Sequence, residues 1–284
     1  MRSRFLDYGA RSVLSSSAQR EKDAASKKTT NVLDSLADVQ VPHSWFTSFY
    51  YTCVSCSILW LVDYTLGSPV ASHLIYPSIS TSRPSMSFPQ VLLTWLAIST
   101  QGSRRLYESY AFARPSQSTM WVAHWALGIY FYSALSMAVW VEGVPALRKH
   151  TFNLADLSIS APSLRTLFSL CLFAMASGIQ HDCHAYLASL KPKDPVVKSE
   201  YKLPAHPAFN LTVTPHYAAE CMIYVAFSLL AAPEGCWANW TMVAALFFVA
   251  GNLGVTAHGT HKWYARRYGR KAVGGRWRMV PFVY

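Results

Sequence analysis

Residues 237–257 read Trp237-ANWTMVAALFFVAGNLGVT-Ala257, 21 positions without one charged side chain. A helix needs about 20 predominantly apolar residues to cross the hydrocarbon core of a bilayer, so this stretch reads as a transmembrane helix. Comparable stretches precede it at 45–66, 88–101, 120–145, 164–180 and 216–232. Those at 88–101 and 164–180 are short and need flanking residues to span. Pro89, Pro145, Pro162, Pro215 and Pro233 fall at or near the ends of the stretches, where proline disrupts a helix least. The composition agrees: 52% of the 284 residues are hydrophobic and 14% charged, against about 25% charged in soluble domains. Mean hydropathy is +0.16. The six cysteines lie mostly inside apolar runs, so no secreted disulfide framework is implied. These features predict an all-α, polytopic membrane bundle of about six transmembrane helices. Residues 1–43 form a polar arm with no apolar core that could serve as a signal peptide.

Charge sets the orientation. With six spans, the arm, the 102–119 and 181–215 loops and the tail after 257 share one side and hold 21 of the 25 Lys and Arg. Excess Lys and Arg marks the cytoplasmic face, so both termini are expected in the cytosol. The net charge of +11 then needs no nucleic acid. Basic loops beside a bilayer attract anionic headgroups or a phosphorylated cofactor.

The cytosolic loops carry particular chemistry. Gln101-Gly-Ser-Arg104-Arg105-Leu-Tyr107-Glu108 places two arginines at a helix end, either as membrane anchors or as a phosphate clamp. If the fourth span continues as a helix, Gln180, His184, Leu187 and Lys191 share one face, which suits a long polar ligand. His181, Cys183 and His184 are metal-ligand types, but no HExxH or paired CxxC pattern accompanies them and no metal site is expected. Asp63, His124, Glu220 and Asn252 are polar groups inside apolar segments, where such groups face the bundle interior. His216 stands one turn before Glu220. The sequons at Asn210 and Asn239 are expected to be unused, the first for its cytosolic side and the second for its closeness to the membrane.

Several of these runs together resemble the steroid 5α-reductase family. They are Asn252-LGVTAHGT-His261-Lys262-Trp263-Tyr264, the closing Pro281-Phe282-Val283-Tyr284, Gln180-x-x-Cys183-His184-x-x-Leu187-x-x-Leu190-Lys191, Tyr201-Lys202-Leu203-Pro204 and Pro215-His216-Tyr217-Ala-Ala-Glu220. Val41-Pro42-x-x-Trp45-Phe46-x-x-Phe49-Tyr50 and Arg104-Arg105-Leu-Tyr107-Glu108 look like its polyprenal (polyprenol) reductase branch. The resemblance implies a multi-pass endoplasmic reticulum enzyme that uses NADPH to saturate a double bond conjugated to a carbonyl, here that of long-chain polyprenal in dolichol synthesis for protein N-glycosylation. It places Gln180, His184, Lys191, Tyr201, Lys202, His216, Glu220 and Asn252 at the NADPH site with Arg105 nearby, and matches His261 to a histidine linked to activity. It also divides the chain into membrane helices on the substrate side (44–163) and a C-terminal domain with the NADPH site (164–284).

The chain departs from the family at identifiable points. His216 stands where Asn is usual, and Val273-Gly274-Gly275 replaces a Tyr-Pro pair. The acid and tyrosine that steroid-reducing members use at the carbonyl match Phe49 and Gly102. Members also begin with one further apolar span, which implies a shortened N-terminus or a misassigned start.

Hydride addition to an alkene needs an electron sink, which the conjugated aldehyde of polyprenal supplies and the free allylic alcohol does not. The protein must therefore align the reactants and stabilise an enolate. With the steroid-type pair absent, His261, Tyr264, Tyr107 and Tyr50 are the candidates to donate to that oxygen. A membrane isoprenoid methyltransferase using S-adenosylmethionine is one rival reading, and the Arg105, Lys191 and Lys202 cations favour NADPH over it. A steroid or enoyl-thioester reductase is another, the steroid case opposed by the missing pair. An inactive truncated paralogue is a third. No obligate protein partner is expected.

Overall fold

The structure is a computed structural model that describes residues 39–79, 84–114, 118–151, 153, 161–191 and 202–284. In chain order the main elements are β1 (Gln40–Pro42), a 3₁₀ turn (His43–Phe46), α1 (Thr47–Thr65), α2 (Pro69–Leu74), α3 (Phe88–Ala111) and β2 (Thr119–Trp121). There follow α4 (Val122–Leu147), α5 (Leu164–Ser189), α6 (Pro215–Leu230), α7 (Trp240–Tyr268) and α8 (Arg270–Val273). Each of the six apolar stretches is a helix. His43–Thr65, Val122–Leu147 and Trp240–Tyr268 are long and apolar enough to cross a membrane. At 16 residues α6 is shorter, about 24 Å by helical rise.

The helix starts follow local chemistry. The Ser87 N–H donates to Gln90 Oε1 at 2.9 Å ahead of Pro89, and Ser163 Oγ accepts from the Thr166 N–H at 3.1 Å. Asn239 Oδ1 accepts from the Met242 N–H at 3.1 Å while its Nδ2 donates to the Ala231 carbonyl at 3.2 Å. That sequon asparagine is buried and is used as a helix cap.

One core cluster runs through both halves of the chain: Met86, Val91 and Ile98 meet Leu135, Trp140, Ile223, Phe227 and Met242. At Gly102 the helices approach so closely that a Cβ would lie 2.8 Å from Cys53 Sγ.

Two features differ from the sequence reading. Gln40–Pro42 pairs antiparallel with Thr119–Trp121, so the end of the expected arm is a strand that ties the entry of α1 to that of α4. Further, α3 and α5 run about ten residues past their apolar stretches, so Arg104, Arg105, Glu108, His181 and His184 stand on helices rather than in loops. The C-terminal segment folds back as a strap. Trp277 N–H donates to Leu211 O, Val213 N–H to Trp277 O and Thr214 Oγ1 to Arg278 O, each within 2.7–2.8 Å, and they fix the entry to α6.

Candidate active site

The prolonged ends of α3 and α5 border a cavity between α1, α4, α6 and α7. Its two sides differ in chemistry. Phe46, Phe49, Phe131, Tyr132, Tyr224 and Phe248 form an aromatic wall, while Arg105, Gln180, His184, His216, Glu220 and Asn252 form a polar one. A more open cleft adjoins it, sharing Phe46, Tyr50, Arg105 and His184 and adding Glu108 and Lys191. An apolar chamber thus meets a cationic cleft across a few shared side chains.

Those shared side chains are held by a continuous polar network. Gln180 donates to Glu220, and Gln101 Nε2 donates to Gln180 Oε1 at 3.0 Å. Arg104 bonds Gln180 and, at 2.8 Å, Gln101 Oε1. Arg105 Nη2 donates to the Tyr50 hydroxyl oxygen at 2.7 Å, and its guanidinium lies 5.0 Å from the centre of the Tyr50 ring. Glu108, with a side chain 1% exposed, accepts from both arginines of its own helix. Two histidines of α5 complete it, His181 Nδ1 at 2.7 Å from Oε1 and His184 Nδ1 at 2.9 Å from Oε2.

The electrostatics follow from this packing. Burial alone would raise the Glu108 pKa, but hydrogen bonds from the two histidines and the Arg105 charge outweigh it and hold the carboxyl well below the usual range. Burial, then the Arg105 charge, push His184 down to about 4 against the pull of Glu108. At neutral pH the pair is therefore a carboxylate and a neutral imidazole.

Seven of the sequence-derived site residues line the cavity: Tyr50, Arg105, Gln180, His184, His216, Glu220 and Asn252. Lys191 lines the adjoining cleft just past the end of α5, so that helix presents the face its spacing implied. Lys202 is exposed. Tyr201 lies outside the described residues. Tyr107 is 65% exposed and lines neither space. His261 and Tyr264 follow Asn252 on α7 by 9 and 12 residues, about 14 and 18 Å of helical rise. They line neither space; Tyr264 packs on Trp263 and Tyr268. Neither position matched to the steroid-type pair carries a polar side chain. Phe49 is buried against Gly128, where a Cβ would sit 2.5 Å from its ring, and Gly102 is filled by Cys53.

Sequence reasoning did not single out Gln101 or Glu108. For Glu108 the available signal was its place three and four residues after two arginines, a spacing that puts all three on one helical face.

Comparison with known proteins places the chain among reductases. The 3-oxo-5-alpha-steroid 4-dehydrogenase family matches residues 118–284. Polyprenal reductase 1 of rice is 28% identical over 88% of this chain and 81% of its own length. Polyprenal reductase of Saccharomyces cerevisiae is 25% identical over 98% of this chain and 85% of its own. That of Caenorhabditis elegans is 26% identical over 92% and 84%.

Proposed function

Because this chain belongs to the 3-oxo-5-alpha-steroid 4-dehydrogenase family, we propose that it is an NADPH-dependent polyprenal reductase of the endoplasmic reticulum membrane, with both termini cytosolic. Its reaction converts polyprenal to dolichal. The observation that carries the reading is the meeting of an aromatic chamber with a cationic cleft over one shared set of side chains. A long isoprenoid suits the first and a phosphorylated cofactor the second. In this reading residues 44–163 supply most of the aromatic wall and 164–284 most of the cofactor contacts.

The residues present fit such a cofactor. His216 Nδ1 is buried on the polar wall with no hydrogen-bond partner among the described residues, an orphan that a ligand group would satisfy. Arg105 and Lys191 offer two cations on the cleft side, and Gln180, Glu220 and Asn252 offer amide and carboxylate groups for hydroxyls and a carboxamide.

When bound, NADPH supplies a hydride to Cβ of the conjugated aldehyde. The protein's own task is then at the aldehyde oxygen, where negative charge gathers, and at Cα, which takes a proton. Of the four hydroxyl and imidazole candidates, Tyr50 is the one that lines the cavity. Arg105 donates to its oxygen, which leaves the Tyr50 O–H free to donate in turn and strengthens it as a donor. The buried aromatic wall excludes water around that oxygen, where a single fixed donor is worth about 3 kcal/mol.

The test is NADPH oxidation with product analysis on membranes holding the chain, comparing polyprenal, polyprenol and an enone steroid. Dolichal from polyprenal alone is expected, with kcat reduced about 100-fold in Tyr50→Phe. Turnover of the steroid, or methyl transfer from S-adenosylmethionine to an isoprenoid acceptor, would overturn the assignment.

A further inference from the structure

Glu108 is not among the residues lining the cavity, yet it is the most heavily bonded side chain of the network. Its two oxygens are served symmetrically: Oε1 by Arg104 and His181, Oε2 by Arg105 and His184. A carboxylate has about four lone-pair sites, so this one is saturated. All four donors are side chains, and two of them, Arg105 and His184, line both the cavity and the cleft.

The arrangement also bears on the tautomer of His184. Its Nδ1 lies 2.9 Å from Glu108 Oε2 and 2.6 Å from Arg105 Nη1. An arginine only donates and a carboxylate only accepts. Glu108 is served by the tautomer with the ring proton on Nδ1, in which Nδ1–H and Nη1–H share Oε2. The neutral ring then carries its lone pair on Nε2, the nitrogen turned away from Glu108. It matches a ligand that offers a donor, such as an amide N–H or a ribose hydroxyl.

We infer that Glu108 is a positioning residue for the cofactor: it fixes the tautomer and ring plane of His184 and the fork of Arg105, and through them sets affinity on the cationic side. The inference rests on the NADPH reading above. Glu108 neutralises one of two adjacent arginines, which leaves one net positive charge in the group to meet a phosphate. It does so from the cleft lining, with a side chain 1% exposed and all its bonds made to other side chains.

The experiment uses the full chain solubilised in detergent, with NADPH as the probe and two readouts: the NADPH-induced rise in melting temperature and the two Michaelis constants. In Glu108→Gln the NADPH-induced rise is expected to vanish. KM for NADPH should increase about tenfold or more, the scale of one charged hydrogen bond, while KM for polyprenal stays within about twofold. A merely structural tie would lower the amount of folded enzyme and move neither constant. Because Glu108 acts through His184, adding Glu108→Gln to His184→Ala should cost much less than it does alone. Glu108→Asp, shorter by one methylene, withdraws the oxygens from α5 but keeps the charge. It should raise KM for NADPH even if the Gln variant fails to fold. An unchanged NADPH response in Glu108→Gln or Glu108→Asp, or full additivity with His184→Ala, overturns the inference. A wild-type chain that neither responds to NADPH nor oxidises it overturns the cofactor reading instead.

Discussion

Asp63 and Glu108 are both buried carboxylates on membrane helices, 5% and 2% exposed, and they are used in opposite ways. Asp63 accepts from the backbone N–H groups of Val70 and Ala71 at 2.7 and 3.1 Å and so closes the start of α2. The same end of the bundle uses Gln90 and Arg165 to bond the Ala232 carbonyl at 2.7 Å, and Arg165 to bond Cys236 O at 2.8 Å. Each polar side chain there satisfies a helix end and is finished. Glu108 bonds no backbone in the described contacts; its four partners are side chains, two of which line the cavity and the cleft. Polar burial by itself therefore does not mark a site. What marks it is a chain of side-chain bonds that ends on a cavity with a buried orphan such as His216 Nδ1.

Substitutions at the capping end put this contrast at risk most directly. Asp63→Ala leaves two amide donors buried without their acceptor, and unfolding should become easier by about 2 kcal/mol. Activity per folded molecule and both Michaelis constants should be unchanged. Thermal melts and kinetics on the same detergent preparation check it. A selective rise in KM for NADPH in Asp63→Ala would erase the distinction between the two carboxylates.

Acid sharpens the contrast from the other side. His184 is held at about 4 in the folded protein, against about 6.5 in the unfolded chain. Between those values the unfolded state binds the additional proton, so stability rises with pH across that window. Glu108, depressed below the usual carboxylate range, adds stability that is present above its unfolded pKa and lost below it. Melting temperature should be level above about pH 7 and fall through pH 6 to 4. His184→Ala should flatten the upper part of that fall. A slope unchanged in His184→Ala would mean that the ring is not held neutral by the packing described.

The sequence made the spans and the polar wall legible because both signals are local. Trp237–Ala257 declares itself by the absence of charge, and Gln180 and His184 by helical spacing. What it hid has a physical cause in each case. The continuation of α3 to Ala111 and α5 to Ser189 is invisible to hydropathy, because the helices persist where their apolar character ends. Glu108 gained its meaning from His181 and His184, 73 and 76 residues away. The pairing of Gln40–Pro42 with Thr119–Trp121 is three residues long and leaves too short an alternation to read.

Tyrosines 50 and 107 give the finest version of the same lesson. Each was a candidate phenol to donate to the enolate oxygen, and the fold separates them by direction. Tyr50 is 3% exposed with Arg105 on its oxygen, while Tyr107, two residues after Arg105 in the chain, projects from the opposite face of α3 at 65% exposure. Adjacent residues on a helix are turned about 100° apart, so Arg105 and Glu108 face α5 whereas Tyr107 does not. Tyr107→Phe should accordingly change kcat and both Michaelis constants by less than about twofold, since an exposed substitution away from any network rarely costs more than about 0.5 kcal/mol. Steady-state kinetics beside Tyr50→Phe provide the check. A loss in Tyr107→Phe comparable to that in Tyr50→Phe would show that the face of α3 opposite the cavity takes part in the reaction, and the two tyrosines would have to be reassigned together.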